Sequence, residues 1–259
     1  MDFTPILKNF SHLFASSPLV IKDPVPFTVM ILSPHPDDEC IVGSLALRLM
    51  KENNAHIVNV AVTLGSKKER QKPRLKELEK ACEVLEMELV TLHEDWKQKE
   101  KELKSLIQKY QPDLIIAPHS KDHHPTHIKT GELLKSIISK TAGLKGLVAW
   151  SEFWAPQSSP NVMLEVPEEI LALQMNALTE HAGEIERNPY HLRLPGWMMD
   201  NVRRGAEVIG GKGEESPTMA YGVLYKVQKF SAKKFSKVNL PYTFLTNLTD
   251  LAEFFKSLN

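Results

Sequence analysis

Between residues 27 and 117 the chain alternates short, β-rich apolar runs with longer segments of helical periodicity, and this rhythm limits the fold more than any other feature. Phe27 to Leu32 is a continuous apolar run of strand length and reads as a buried strand. Residues 39 to 53 carry Ile41, Leu45, Leu47 and Leu49 without a proline and read as a helix. Ile57 to Leu64 is a second strand. The next helix is read from Arg74 to Met87, where Leu75, Leu78, Cys82 and Leu85 recur at helical spacing. Leu89 to Leu92 is a third strand, Trp96 to Tyr110 a charged helix, and Asp113 to Ala117 a fourth strand. Strand–helix units in this order predict an α/β fold: a Rossmann-like three-layer sandwich with a mostly parallel sheet. In open sheets of this kind ligands collect beyond the carboxyl ends of the strands. The segments after Leu32, Leu64, Leu92 and Ala117 are therefore where function is expected.

Beyond about residue 160 the pattern loosens. Val162 to Val166 reads as a strand, Glu168 to His181 as a helix and Met219 to Gln228 as a late strand, with long loops over residues 186 to 217. The first 26 residues, with Pro5, Pro18, Pro24 and Pro26, read as an irregular lead-in holding a short helix around Phe10 to Phe14. The whole of 1–259 is read as a single domain with an irregular, loop-rich C-terminal part. Its core is 27–140, followed by a substrate-loop region at 141–229 and a C-terminal extension at 230–259.

Charge removes one class of partner. Lys+Arg is 32 and Asp+Glu is 32, and a chain that coats nucleic acid needs a surplus of cations. The basic stretch of Lys226, Lys229, Lys233, Lys234 and Lys237 reads as a solvated face. No run approaches the roughly 20 apolar residues of a membrane span. The start, MDFTPILKNF, lacks a basic lead followed by a long apolar run, so no secretory signal is read. Cys40 and Cys82 are too few for a disulfide framework, and a cytoplasmic location is expected.

The chemistry gathers after the first and fourth strands. Ser33-Pro34-His35-Pro36-Asp37-Asp38-Glu39 follows the first. Helix capping would explain one acid there, but not a histidine, paired aspartates and a glutamate. After the fourth strand, His119 to His127 holds four of the ten histidines. Both segments fall at one sheet edge and offer imidazole and carboxylate donors. Two histidines and a carboxylate with an open position form a catalytic zinc pattern, and Fe²⁺ accepts the same donors. His35 and Asp38 are three apart, so a turn entering a helix can aim both at one ion. Asp37 projects differently and can act on a nearby water as a base. Of His124 and His127, one can ligate while the other faces substrate and steadies an oxyanion or protonates a leaving group.

These motifs have a known setting. His35-Pro36-Asp37-Asp38-Glu39 after a strand, with His124-Pro125-Thr126-His127 after a later one, resembles the LmbE/PIG-L family of zinc-dependent N-deacetylases. Val62-Thr63-Leu64-Gly65, and Arg74 with Glu77 at an R-x-x-E position, extend the resemblance over about residues 27 to 140. The resemblance implies that His35, Asp38 and His127 bind zinc and that Asp37 is the general base. It gives His124 the tetrahedral intermediate or the acid's role, makes Arg74 a substrate contact, and makes Asp95 a looser one. Thr126 stands where the family carries Asp, and Ser66 where many relatives carry Glu or Asp; His181-Ala-Gly-Glu184 partly echoes a later H-x-S-Q pattern.

The expected activity is zinc-dependent removal of an acetyl group from an N-acetylglucosamine-type substrate. The implied partner is a small N-acetylated sugar or sugar conjugate, with self-association into a homo-oligomer left open. Two alternatives stand beside it: a metal-dependent amidase on another small acylated molecule, such as a thiol conjugate or antibiotic, and a non-catalytic metal- or glycan-binding relative. Trp150, Trp154, Trp197 and Tyr190 are aromatic faces suited to stacking on a sugar ring.

Overall fold

The computed structural model describes residues 2–11, 17–211, 213, 217–240 and 243–258. Helix α1 (Thr4–Ser11) precedes strand β1 (Thr28–Ser33), so the lead-in helix forms earlier than expected, and residues 12–16 lie outside the described residues. The next elements are α2 (Asp38–Val42), α3 (Ser44–Asn53), β2 (His56–Ala61), α4 (Lys68–Val84), β3 (Glu88–Thr91), α5 (Trp96–Tyr110), β4 (Leu114–Pro118) and α6 (Pro125–Lys140). Strand β5 (Gly146–Ser151), β6 (Val162–Glu165), α7 (Glu168–Leu178), α8 (Ala182–Ile185) and α9 (Tyr190–Gly205) follow. A π-helical turn (Ala206–Gly210), β7 (Gly222–Ser231), β8 (Lys234–Lys237), β9 (Thr243–Leu245) and α10 (Leu251–Ser257) close the chain.

One mixed sheet runs in the order β3-β2-β1-β4-β5-β7-β6-β9, with β8 paired to β7. The first five strands in that order are parallel to one another. Strand β7 runs antiparallel to β5, β6 and β8, and β6 pairs parallel with β9. The fold is α/β with a mostly parallel sheet, as the alternation predicts. Val29 and Ile31 of β1 face one core, with Leu45, Leu49 and Leu78; Met30 and Leu32 face the other, with Leu103, Ile137 and Val148. Both faces of the strand are thus covered, which is why it reads as an unbroken apolar run.

Four local readings change. The helix expected over 39–53 breaks at Gly43 into α2 and α3, a close turn where a Cβ would stand 2.3 Å from the Glu39 carbonyl oxygen. Helix α4 starts at Lys68 rather than Arg74, so Arg74 lies in its second turn. Pro73 thus lies inside the helix, on its exposed side. The loops expected over 186–217 contain α9, with Pro195 inside it. Strand β5 is a run of strand length, LVAW flanked by Gly146 and Ser151, that the alternation to residue 117 did not reach.

The strand order places a reversal between β1 and β4: the chain moves outward from β1 through β2 and β3, then returns to β4 on its other side. Loops leaving β1 and β4 diverge there and leave a crevice between them.

Candidate active site

Both motif segments meet in that crevice. Asp38 opens α2, and its Oδ2 accepts the His35 N–H at 2.8 Å. The same oxygen lies 3.4 Å from His35 Nδ1 and 3.4 Å from His127 Nε2. His124 is the N-cap of α6, its Nδ1 accepting the Thr126 N–H at 3.3 Å. His127, in the first turn of the same helix, is buried. Nitrogens of His35, His124 and His127 all lie within 4.8 Å of one another.

This donor set fits a small divalent cation. A tetrahedral site with bonds of about 2.0–2.1 Å has donor atoms about 3.3–3.4 Å apart, the spacing of the Asp38 oxygen from two imidazoles. Both ring nitrogens of His127 are buried without a hydrogen-bond partner among the described residues. Buried polar atoms are rarely left so, and a metal ligand is one standing reason. His124 is a further nitrogen at the same centre, so the geometry admits it beside His35 and His127 as well as Asp38.

Charge points the same way. Burial opposes the imidazolium form of His127, but the Asp38 and Asp122 carboxylates outweigh it and hold the ring up to about 10. Burial likewise opposes charge on Asp38, yet His127 and His35 hold its carboxyl far below the usual range. The carboxylates therefore require a positive charge between them, supplied by a proton or a cation. His124 is shifted down, by burial first and then by its two neighbouring imidazoles.

Asp37 is set apart from this group. It has φ 114° and ψ −26°, a left-handed conformation that costs a residue with a side chain about 1–3 kcal/mol. Burial, then the charges of Asp38 and Glu39, push its carboxyl well above the ordinary value. Arg74 steadies the same loop by donating from Nη2 to the Pro36 carbonyl at 3.0 Å. Gly65, at φ 88°, packs against that guanidinium so closely that a Cβ would lie 2.4 Å from Nη1.

A cavity of about 580 Å³ opens over the centre. Its lining includes His35, Asp37, Asp38, Arg74, His124 and His127. Asp95 is not on this wall: its Oδ1 caps α5 by accepting the Lys97 and Gln98 N–H groups at 3.0 Å, while Glu94 and Trp96 face the cavity. Trp154 and Tyr190 line the opening, Trp197 packs against Tyr190 and Phe153, and Trp150 is buried in β5.

Several site residues carry no role in the sequence reading. Asp122, two residues before His124, accepts the His124 N–H at 2.7 Å and the Trp154 N–H at 3.2 Å. Phe153 stacks on His127 with ring centroids 5.2 Å apart. Buried Glu184 gathers Arg70, Arg74 and Arg187. Asp122 lies inside the histidine-rich stretch and its spacing was a usable signal; Phe153 and Glu184 come from segments where periodicity gives no register.

Residues 30–138 match the family model described as PIG-L, GlcNAc-PI de-N-acetylase. No curated protein matches the chain at a significant level. Among solved structures, N,N'-diacetylchitobiose deacetylase from Pyrococcus horikoshii is similar at TM-score 0.60 and 19% identity, over 77% of this chain and 83% of that one. The 4-carboxy-2-hydroxymuconate hydratase of Pseudomonas putida gives 0.61 and 16%, over 78% and 95%. A structure described as the zinc-inhibited form of teicoplanin deacetylase gives 0.59 and 12%, over 79% and 99%. At these identities the structures establish a shared fold, and a hydratase among them shows that the fold alone does not fix a reaction. The family match rests instead on the segment holding both motifs: residues 30–138 are similar to the PIG-L family of de-N-acetylases.

Proposed function

We propose that this protein is a metal-dependent N-deacetylase acting on an N-acetylglucosamine-type substrate, with His35, Asp38 and His127 holding the metal. The observation that carries the reading is the position of Asp37: a strained, buried carboxyl on the cavity wall, beside the donor set and separate from it. A protein that only bound a metal or a glycan would have no use for it.

A divalent cation bound at these donors, Zn²⁺ or Fe²⁺, supplies Lewis acidity: it polarises a carbonyl oxygen and lowers the pKa of an adjacent water. Asp37, on the cavity wall beside the donor set, takes the proton from the attacking water. His124 accepts the Thr126 amide at Nδ1, so the neutral ring carries its proton on Nε2 and can hydrogen-bond through it to the oxyanion forming on the acetamide oxygen. As the C–N bond breaks, Asp37 returns its proton to the leaving nitrogen. Amide and water become acetate and a free amine. Arg74 keeps the Asp37 loop in place and lines the pocket in which the substrate is held.

The substrate assignment follows the family description and the cavity's aromatic rim; the related folds include deacetylases of chitobiose and of teicoplanin. Another small acylated molecule is the second reading, favoured by exposed Trp154 beside the opening, which would suit an apolar aglycone. The test is an amine-release assay over N-acetylated sugars, their nucleotide and thiol conjugates, and an acylated glycopeptide, with and without chelator. Chelator-sensitive release from a sugar substrate is expected. Absence of release across the panel by the zinc- or iron-loaded protein rejects the enzyme reading.

A further inference from the structure

The loop bearing Asp37 is fastened from inside the protein by buried groups that the reaction above leaves unused. Glu39 Oε2 accepts the Asp37 N–H at 3.1 Å. Its other oxygen, Oε1, is 2.7 Å from His181 Nε2 and accepts from Cys40 Sγ at 3.2 Å. Glu39, Cys40 and His181 are each 0% exposed. His181 arrives from the connection between α7 and α8, far along the chain from the motif. Its Nδ1 is buried with no hydrogen-bond partner among the described residues. A neutral imidazole has one N–H, and the bare Nδ1 assigns it to Nε2, aimed at Glu39.

These three side chains do not form a second metal centre. At 2.7 Å the imidazole nitrogen and carboxylate oxygen are at hydrogen-bond distance, too close to be two ligands of one ion with bonds of about 2.0–2.1 Å. A pair that merely filled the core would be replaceable by apolar residues of the same shape. What distinguishes it is where it ends: on the amide of Asp37, at φ 114°. Positive φ is a conformation that side chains disfavour, and it persists only where the surroundings over-determine it. Without its acceptor that buried N–H would be orphaned, and rotation of the backbone to negative φ would swing the carboxyl away from the cavity.

We propose that His181 is a positioning residue: through Glu39 it holds the left-handed backbone of Asp37 and so aims the carboxyl at the substrate. The inference rests on Asp37 acting as the base.

His181→Phe keeps the ring's bulk and removes the donor. His181→Gln keeps an N–H near the place of Nε2, whereas the shorter His181→Asn does not reach it. In the full, metal-loaded chain, His181→Phe is expected to lower kcat at least tenfold, about 1.4 kcal/mol of barrier, with KM within twofold and metal content unchanged. His181→Gln is expected to return kcat to within threefold of the parent. Gln174→Leu removes the bonds from α7 to the Cys40 and Ile41 carbonyls without touching Glu39. It is expected to lower Tm while kcat stays within threefold, which separates positioning from a general loosening of α2. If His181→Phe does not fold, the contrast of Asn with Gln carries the same test. A crystal structure of the Phe or Asn variant is expected to show Asp37 at negative φ. That readout needs no substrate, so it decides the matter even if the parent hydrolyses nothing in the panel, which would reject the deacetylase reading instead. Full kcat in both donorless variants, equal loss with Gln, or a retained positive φ overturns the proposal.

Discussion

Asp122 Oδ2 lies 3.7 Å behind His127 Nδ1, on the side of the ring away from Asp38. A carboxylate on that side, closing to hydrogen-bond distance, would orient the imidazole and raise its basicity as a metal ligand. Asp122→Asn should therefore weaken metal binding about 10–100-fold. A chelator competition titration reads this directly; parent affinity in the variant would assign Asp122 to capping the His124 and Trp154 amides alone.

Asp38 and His124 divide the two candidate ligand sets. If Asp38 binds the metal, Asp38→Ala leaves the purified chain without stoichiometric zinc or iron by elemental analysis. His124→Ala, in contrast, should keep its metal.

Turnover of the His124 variant carries the catalytic half of that contrast. Loss of one donor to a developing oxyanion costs about 10²–10³ in kcat. A decline of that size with unchanged metal content is expected in steady-state assays, and full activity would remove His124 from the reaction.

The cysteines offer a check independent of activity. Burial, then the charge of Glu39, pushes the Cys82 thiol up to about 12, and burial raises Cys40 as well. The thiolate is the reactive form, so its fraction is negligible at pH 8 and grows only as the pH climbs toward the raised pKa. Native protein should give no rapid reaction with a thiol reagent at pH 8, and unfolded protein should titrate both cysteines.

Arg48 and Glu52 are the stability test. Arg48 Nη2 donates to Glu52 Oε2 at 3.1 Å, while the same guanidinium holds the Glu165 carbonyl at 3.0 Å and the Thr246 carbonyl at 3.1 Å. Arg48→Met strands a buried carboxylate and should cost about 3–5 kcal/mol in urea unfolding. Pairing it with Glu52→Leu should recover much of that loss.

Legibility followed physical period. Strands buried on both faces, such as β1 and β4, announce themselves as apolar runs, and helix α5 by its spaced leucines. That alternation sufficed to bring His35 and His127 to one edge. The Gly- and Pro-containing stretch over 186–217 reads as loop, yet Pro195 lies inside α9. The contacts of Glu184 with Arg70 and Arg74, and of His181 with Glu39, join segments far apart in the chain. No local pattern encodes such pairings. The aspect of Asp95 that local pattern does encode is its cap on α5.

His124 takes its tautomer from the amide that opens α6. The information for placing that proton is thus written in main chain, and every amino acid but proline at position 126 would write it equally well. Threonine at position 126 leaves that donor in place.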